Sequence, residues 1–354
     1  MLTPPLTRIY VLYTVIKVTV VTATLLVFYK VLGSNPFIYP DLAVYRVCEP
    51  RTPNAMFSYS VCLLGIEELE NPLPIALAIV INTLRDIAYI ALVHHLIGLR
   101  GALLFAVLLA AHPFLALYHP RYVASIFASL GVLFVCYREL RAPRSRQHHV
   151  TELLSVLTLI TFRYTNLLLF ATYGIVSSWA RPRVLITILL LGCAFLALAW
   201  DYLASYVEAS LNTDWTLSPG NIIFNLHVTG FEILDFVLGI TFYILSHVFF
   251  LTGFREIAYL YFPEYFLPFN TQSAIEVLLY MAMSVFHLVG LGLFLWRFWA
   301  YRTLCLTVII SLTFTSLFIV HLRYFIHFMP IALLGYAAWY AAPKSRQLNA
   351  IDRK

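Results

Sequence analysis

Four arginines stand in or beside stretches otherwise apolar enough to cross a bilayer: Arg85 in the run 75–97, Arg121 after His119-Pro120, Arg163 in the run 153–173, and Arg323 between the last two apolar runs. A charge at such a place costs roughly 2.5–3.5 kcal/mol on insertion scales, so it marks a functional site by default. Arginine keeps its proton when buried and offers a planar fork of donors to phosphate or carboxylate. Four of them point to an anion. Asp41, in Pro36-Phe37-Ile38-Tyr39-Pro40-Asp41-Leu42-Ala43-Val44-Tyr45, follows the end of the first apolar run. A carboxylate there can take the proton of an acceptor hydroxyl as a general base. It is also a good helix N-cap, between a proline and an apolar helical segment, and the two roles are compatible. His119, two residues from Arg121, suits a second donor or proton shuttle, with a structural role as the plainer alternative.

The elements that would carry these residues follow from composition. Of 354 residues, 61% are hydrophobic and 11% charged, which no soluble domain of this size can present as its surface. Apolar runs of about 20 residues, the length a helix needs to cross the hydrocarbon core, recur with short polar breaks. The expected fold is all-α: one polytopic transmembrane bundle of about 10–11 spans over 1–354, with no soluble domain. The net charge of +6 rests almost wholly on arginine, because only Lys17, Lys30, Lys344 and Lys354 are lysines. Lys17 lies inside the first span and has to face protein.

Loop charge sets a topology. The segment 138–149, with Arg138, Arg141, Arg144 and Arg146, belongs inside. Counting back from it gives spans 122–137, 102–118, 73–97 and 9–32, an inside N-terminus, and loops 33–71 and 119–121 outside. The stretch 151–179 is long for one helix, and Arg181 and Arg183 favour the inside. It therefore reads as two short spans meeting near Arg163, which puts Arg163 at the outer face. A span at 184–205 leads to an outer loop at 208–226. Simple alternation would then leave the basic C-terminal tail outside; a second crossing or an interfacial stretch within 232–270 returns it to the inside and puts Arg323 outside. Cys48 and Cys62 share the first outer loop and can pair if it meets an oxidising compartment.

Asp41 opposite external arginines resembles the GT-C superfamily, polytopic glycosyltransferases that use sugars on polyprenyl-phosphate or polyprenyl-diphosphate carriers. In that family a catalytic acid sits in the first extracytoplasmic loop, which runs along the membrane as short amphipathic helices. Asp41 matches by position, and 56–69 can form such a helix. The resemblance implies a seven-span core over 1–205 and C-terminal spans over 206–354. Arg323-Tyr324-Phe325-Ile326-His327-Phe328-Met329-Pro330 looks like the Arg-Tyr and following proline before the last span of these enzymes. It implies Asp41 and His119 as catalytic groups, with Arg121, Arg163, Arg323, Tyr324 and Arg85 binding the lipid phosphate. Size and arginine-bearing spans are equally similar to O-antigen and capsule polymerases. The implied partners are a polyprenyl-linked sugar donor, a glycan or lipid-linked acceptor and membrane lipids. The location would be the bacterial inner membrane.

The chain departs from the pattern at two points: it lacks the soluble C-terminal domain of oligosaccharyltransferases, and no second acid flanks Asp41 at the spacing of a metal-binding pair, so no cofactor is expected and a divalent metal, though compatible, is not indicated. HExxH, CxxC, GxSxG, Walker and Rossmann patterns are missing, and the scattered basic loops do not suit nucleic acid. The alternative class is a transporter or flippase with Arg85, Asp86, Glu232 and Asp235 along its path. Against it, adjacent helical residues point about 100° apart, so Arg85 and Asp86 are expected to pair elsewhere. Thr229-Gly230-Phe231-Glu232 reads as a capping box rather than part of a carboxylate pair.

Overall fold

The computed structural model describes residues 4–30, 55–64, 72–121, 125–141, 149–163, 165–183, 229–238, 274–318 and 325–341, with isolated positions between them. Among these the chain is helical and has no strand. Its helices are α1 (Pro4–Lys30), α2 (Ala55–Leu63), α3 (Pro72–Ala111), α4 (Pro113–Tyr118), α5 (Ser125–Arg141), α6 (His149–Phe162), α7 (Thr165–Ser178), α8 (Ala274–Phe298), α9 (Arg302–Phe318) and α10 (Met329–Ala341). Two of them, α1 and α3, are long and apolar enough to cross a membrane, and shorter apolar helices accompany them. The chain divides into two compact units: 1–170 with 290–304 and 326–354, and 171–289 with 305–325.

In the first unit, α1 buries Ile9, Tyr13 and Lys17. Their spacing of four puts them in one stripe. Val11, Val15 and Val18 lie on the opposite, exposed side. Lys17 thus faces protein, as its charge demands.

The sequence separates spans 73–97 and 102–118 by a loop at 98–101. Instead the helix carries on through this stretch with one break, at Gly98, where φ is +77° and ψ −172°. This backbone region is open essentially only to glycine. It turns α3 into a hairpin, since Tyr89 on the first limb meets Phe105 on the second with ring centroids 6.3 Å apart. A second break follows at His112-Pro113. Pro113 opens α4, and the His112 ring caps it by accepting a hydrogen bond from the Leu115 N–H at 3.3 Å. The expected single span 102–118 is therefore two helices.

Helices α6 and α7 form a second hairpin, turned at Arg163, where the sequence reading expects the chain to break. Arg138 of α5 pairs with Glu152 of α6, and farther along Phe127 stacks on Phe162 at 4.2 Å, so α6 runs antiparallel to α5. The chain then reverses. Asn166 at the start of α7 donates to the Phe127 carbonyl at 3.0 Å and to the Leu159 carbonyl at 2.9 Å, and Phe170 meets Phe134. Helix α2 covers the same end, where Phe57 and Val61 join Ala78, Val123, Ile126 and Phe127 in one apolar cluster bordered by Tyr118 and Phe162. Cys62 of α2 is disulfide-bonded, whereas Cys136, Cys193 and Cys305 are not in disulfides. Its expected partner, Cys48, lies outside the described residues.

Helix α10 is buried along almost its whole length, which requires apolar residues on every side. It approaches α8 so closely that a Cβ on Gly335 would fall 2.0 Å from the Gly290 carbonyl oxygen. Small residues permit such crossings.

In the second unit, Asp235 caps the helical turn 232–238. Its carboxylate accepts from the Thr229 N–H (2.8 Å), the Thr229 hydroxyl (2.7 Å) and the Gly230 N–H (3.2 Å). The cap is where the sequence puts it, but Asp235 makes it while Glu232 is exposed. One turn farther into the helix, Asp235 reaches back over the open N–H groups. The two acids therefore do not act as a carboxylate pair.

Candidate functional site

Two polar groups occupy the first unit. One lies at the end where α2 packs on α5. Arg121 follows the bend after α4, with its N–H on the Tyr118 carbonyl at 3.2 Å and its guanidinium 5.1 Å from the centre of the Tyr118 ring. Arg163 occupies the turn between α6 and α7, held by its N–H to the Leu159 carbonyl at 3.0 Å. Both side chains are buried, at 9% and 6% exposure. The residues beside them, Tyr118 and Phe162, pack against the single apolar cluster of α2, α3 and α5. Two arginines 42 positions apart in sequence thus reach one end of the unit.

His119 belongs to the same bend. Its carbonyl accepts from Asn82 Nδ2 at 2.9 Å, and its Nε2 lies 3.3 Å from the Thr83 hydroxyl. Burial, helped by the Lys17 charge, pushes the ring down to about 3, so it is neutral at ordinary pH. A neutral imidazole can donate from one nitrogen and accept at the other, as a proton shuttle requires. His327, in the turn before α10, is buried too, and the Arg163 charge acts on it. Its sequence neighbours Arg323 and Tyr324 drew attention; His327 itself gave no signal beyond standing four positions after Arg323. Arg323, Tyr324 and Asp41 lie outside the described residues.

The second group is centred on Asp86. Adjacent helical positions suggested that Arg85 and Asp86 would face apart. Instead the Arg85 side chain folds back, placing Nε 2.9 Å and Nη2 2.6 Å from Asp86 Oδ1. The reason is the width of the buried stripe on α3, which takes in Asn82, Arg85, Asp86, Tyr89, Ile90 and Val93. Neighbouring positions both fall within a face more than 100° wide, and the arginine side chain is long enough to close the gap. Asp86 Oδ2 accepts the Tyr13 hydroxyl at 2.6 Å and lies 3.8 Å from Lys17 Nζ. Lys17 also donates to the Leu109 carbonyl at 3.2 Å, and Arg85 Nη1 reaches the Ser129 hydroxyl at 3.4 Å. Arg85, grouped with the phosphate ligands on sequence, is thus committed to an internal ion network. Lys17 and Tyr13 could be foreseen only as polar positions within an apolar run.

The arrangement can hold an anion at Arg121 and Arg163 and pass a proton through a neutral histidine. Among the described residues no group of His, Cys, Asp and Glu is placed to hold a metal ion. Comparison with protein families, with characterised proteins and with solved structures found no match to this chain.

Proposed function

We propose that the chain is a multi-pass glycosyltransferase of the bacterial inner membrane. It transfers a sugar or oligosaccharide from a polyprenyl-phosphate or polyprenyl-diphosphate carrier to a cell-envelope glycan on the extracytoplasmic face. The observation that carries this reading is the placement of buried Arg121 and Arg163, from distant parts of the sequence, at one end of the bundle with His119 beside them. The disulfide at Cys62 supports an extracytoplasmic setting for that end, because α2 packs there and disulfides persist in oxidising compartments. A membrane setting is supported by the distribution of polarity: Lys17, Arg85 and Asp86 are buried while Val15, Leu84, Leu154 and Trp296 are exposed. Exposed apolar surface of this kind suits lipid contact.

In this mechanism the carrier phosphate leaves as the glycosidic bond to it breaks. Arg121 and Arg163 neutralise its growing negative charge in a site that water hydrates poorly. Arg323 and Tyr324 would complete the phosphate ligands. Asp41 removes the proton of the acceptor hydroxyl as its oxygen attacks the anomeric carbon, and His119 relays protons beside the leaving group.

The test is transfer of radiolabelled sugar from a polyprenyl-linked donor in membranes carrying Arg121→Ala, Arg163→Ala or Asp41→Asn. Each loss of a positioned charge at the transition state is expected to lower turnover about 10²–10³-fold. Unchanged turnover in all three variants refutes the reading. Glycan chain length in a deletion strain separates the subtypes: a polymerase leaves single repeat units, and a single-sugar transferase leaves none.

A further inference from the structure

The buried network around Asp86 holds two cations, Lys17 and Arg85, against one carboxylate. Tyr13 donates a hydroxyl to that carboxylate and brings no charge. Among the described residues no other acid acts on Lys17, and the His119 ring nearby is neutral. One positive charge is therefore left over where Lys17 and Arg85 are each 3% exposed and Asp86 is fully enclosed. An uncompensated buried charge is strongly destabilising, because it has lost its hydration without gaining a partner.

A polar atom near this charge is also left over. The Tyr89 hydroxyl is buried with no hydrogen-bond partner, and Tyr89 stands one helical turn beyond Arg85 on the same buried stripe of α3. Lys17 makes one hydrogen bond, to Leu109, and its contact with Asp86 is long at 3.8 Å. An ammonium has three donors.

We infer that Lys17, Arg85 and Tyr89 form an internal oxyanion-binding site beside Asp86, distinct from the Arg121–Arg163 pair, that takes one phosphate-type negative charge. The excess charge and the unmatched donors of Lys17 and Tyr89 lie on the facing buried stripes of α1 and α3, and a phosphate oxyanion answers both. It accepts hydrogen bonds from ammonium, guanidinium edge and phenol alike, and it makes the site electrically neutral. The inference stands whether or not the chain transfers sugars.

The test is thermal unfolding of the full chain in phosphatidylcholine nanodiscs, with and without inorganic phosphate, and in nanodiscs doped with phosphatidylglycerol without free phosphate. Stabilisation by free phosphate, by the anionic lipid or by both is expected, and which of them acts identifies the source of the oxyanion. Lys17→Met should abolish that stabilisation, and so should Lys17→Gln, a second uncharged variant that guards against a folding defect in the first. Arg121→Ala with Arg163→Ala should leave it in place even where transfer activity is lost. The inference is overturned if neither phosphate nor anionic lipid stabilises the native chain, or if the effect survives both Lys17 variants. Its loss on removing Arg121 and Arg163 would overturn it as well, by assigning the anion to that pair.

Discussion

Asp86→Asn is the most exacting test of how this bundle is held together. The substitution keeps side-chain volume and removes only the charge that Arg85 contacts at 2.9 and 2.6 Å, Tyr13 at 2.6 Å and Lys17 at 3.8 Å. Two cations are then enclosed without a carboxylate. Removing one partner of a buried ion pair costs about 3–5 kcal/mol, because the partner left behind has lost its hydration and gained nothing. For a chain of 354 residues that corresponds to a fall in unfolding midpoint of roughly 4–7 °C. The assay is thermal unfolding of purified protein in phosphatidylcholine nanodiscs without added phosphate. A triple variant, Lys17→Met with Arg85→Met and Asp86→Leu, should recover most of the loss, since apolar replacement of a whole buried ion group is close to neutral. If Asp86→Asn melts within about 2 °C of the native chain, the network does not hold α1 to α3 as described. A triple variant less stable than the single one would refute the charge argument specifically.

Three further outcomes are expected. Gly98→Ala should destabilise by about 1–3 kcal/mol in the same assay: nothing lies within 4 Å of the added Cβ, so the cost is that of the backbone at φ +77°. Cys62 should resist a thiol-alkylating reagent, followed by mass spectrometry, until the protein is reduced, and should react once it is. His119 supplies a pH signature. Its folded value of about 3 lies below the ordinary 6.5, so the unfolded chain takes up a proton first. The stability gained from the neutral ring is complete above pH 6.5 and drains away as pH falls towards 3, at up to about 1.4 kcal/mol per unit. Replacement by Asn should flatten that part of the profile.

The residues that sequence reading and structure agree on are those governed by local chemistry. The all-helical class follows from long apolar runs that must satisfy their own backbone hydrogen bonds. The break at Arg163 follows from a charge in the middle of a stretch too long for one helix, and the cap at Thr229 from turn chemistry. Lys17 had to face protein because a lone ammonium is costly in lipid. Elsewhere the local signal was ambiguous. The stretch 98–101 contains Arg100 between apolar runs, and nothing in it distinguishes an open loop from a tight glycine hinge. That choice depends on how closely the second limb of α3 packs on the first.

By itself, the sequence determined that this chain is helical, apolar on its exterior and furnished with arginines at positions where charge is costly. Which arginines act together was decided by tertiary structure alone. Position on a helix is periodic, but partnership depends on which helices touch and on how far a flexible side chain reaches. Arg121 and Arg163 come to one end because two separate hairpins are laid against α5. Arg85 leaves that company because Asp86 shares its wide buried stripe and because Tyr13 and Lys17, one turn apart on α1, meet the same carboxylate. The excess of cation over carboxylate likewise became visible only once those residues were brought together.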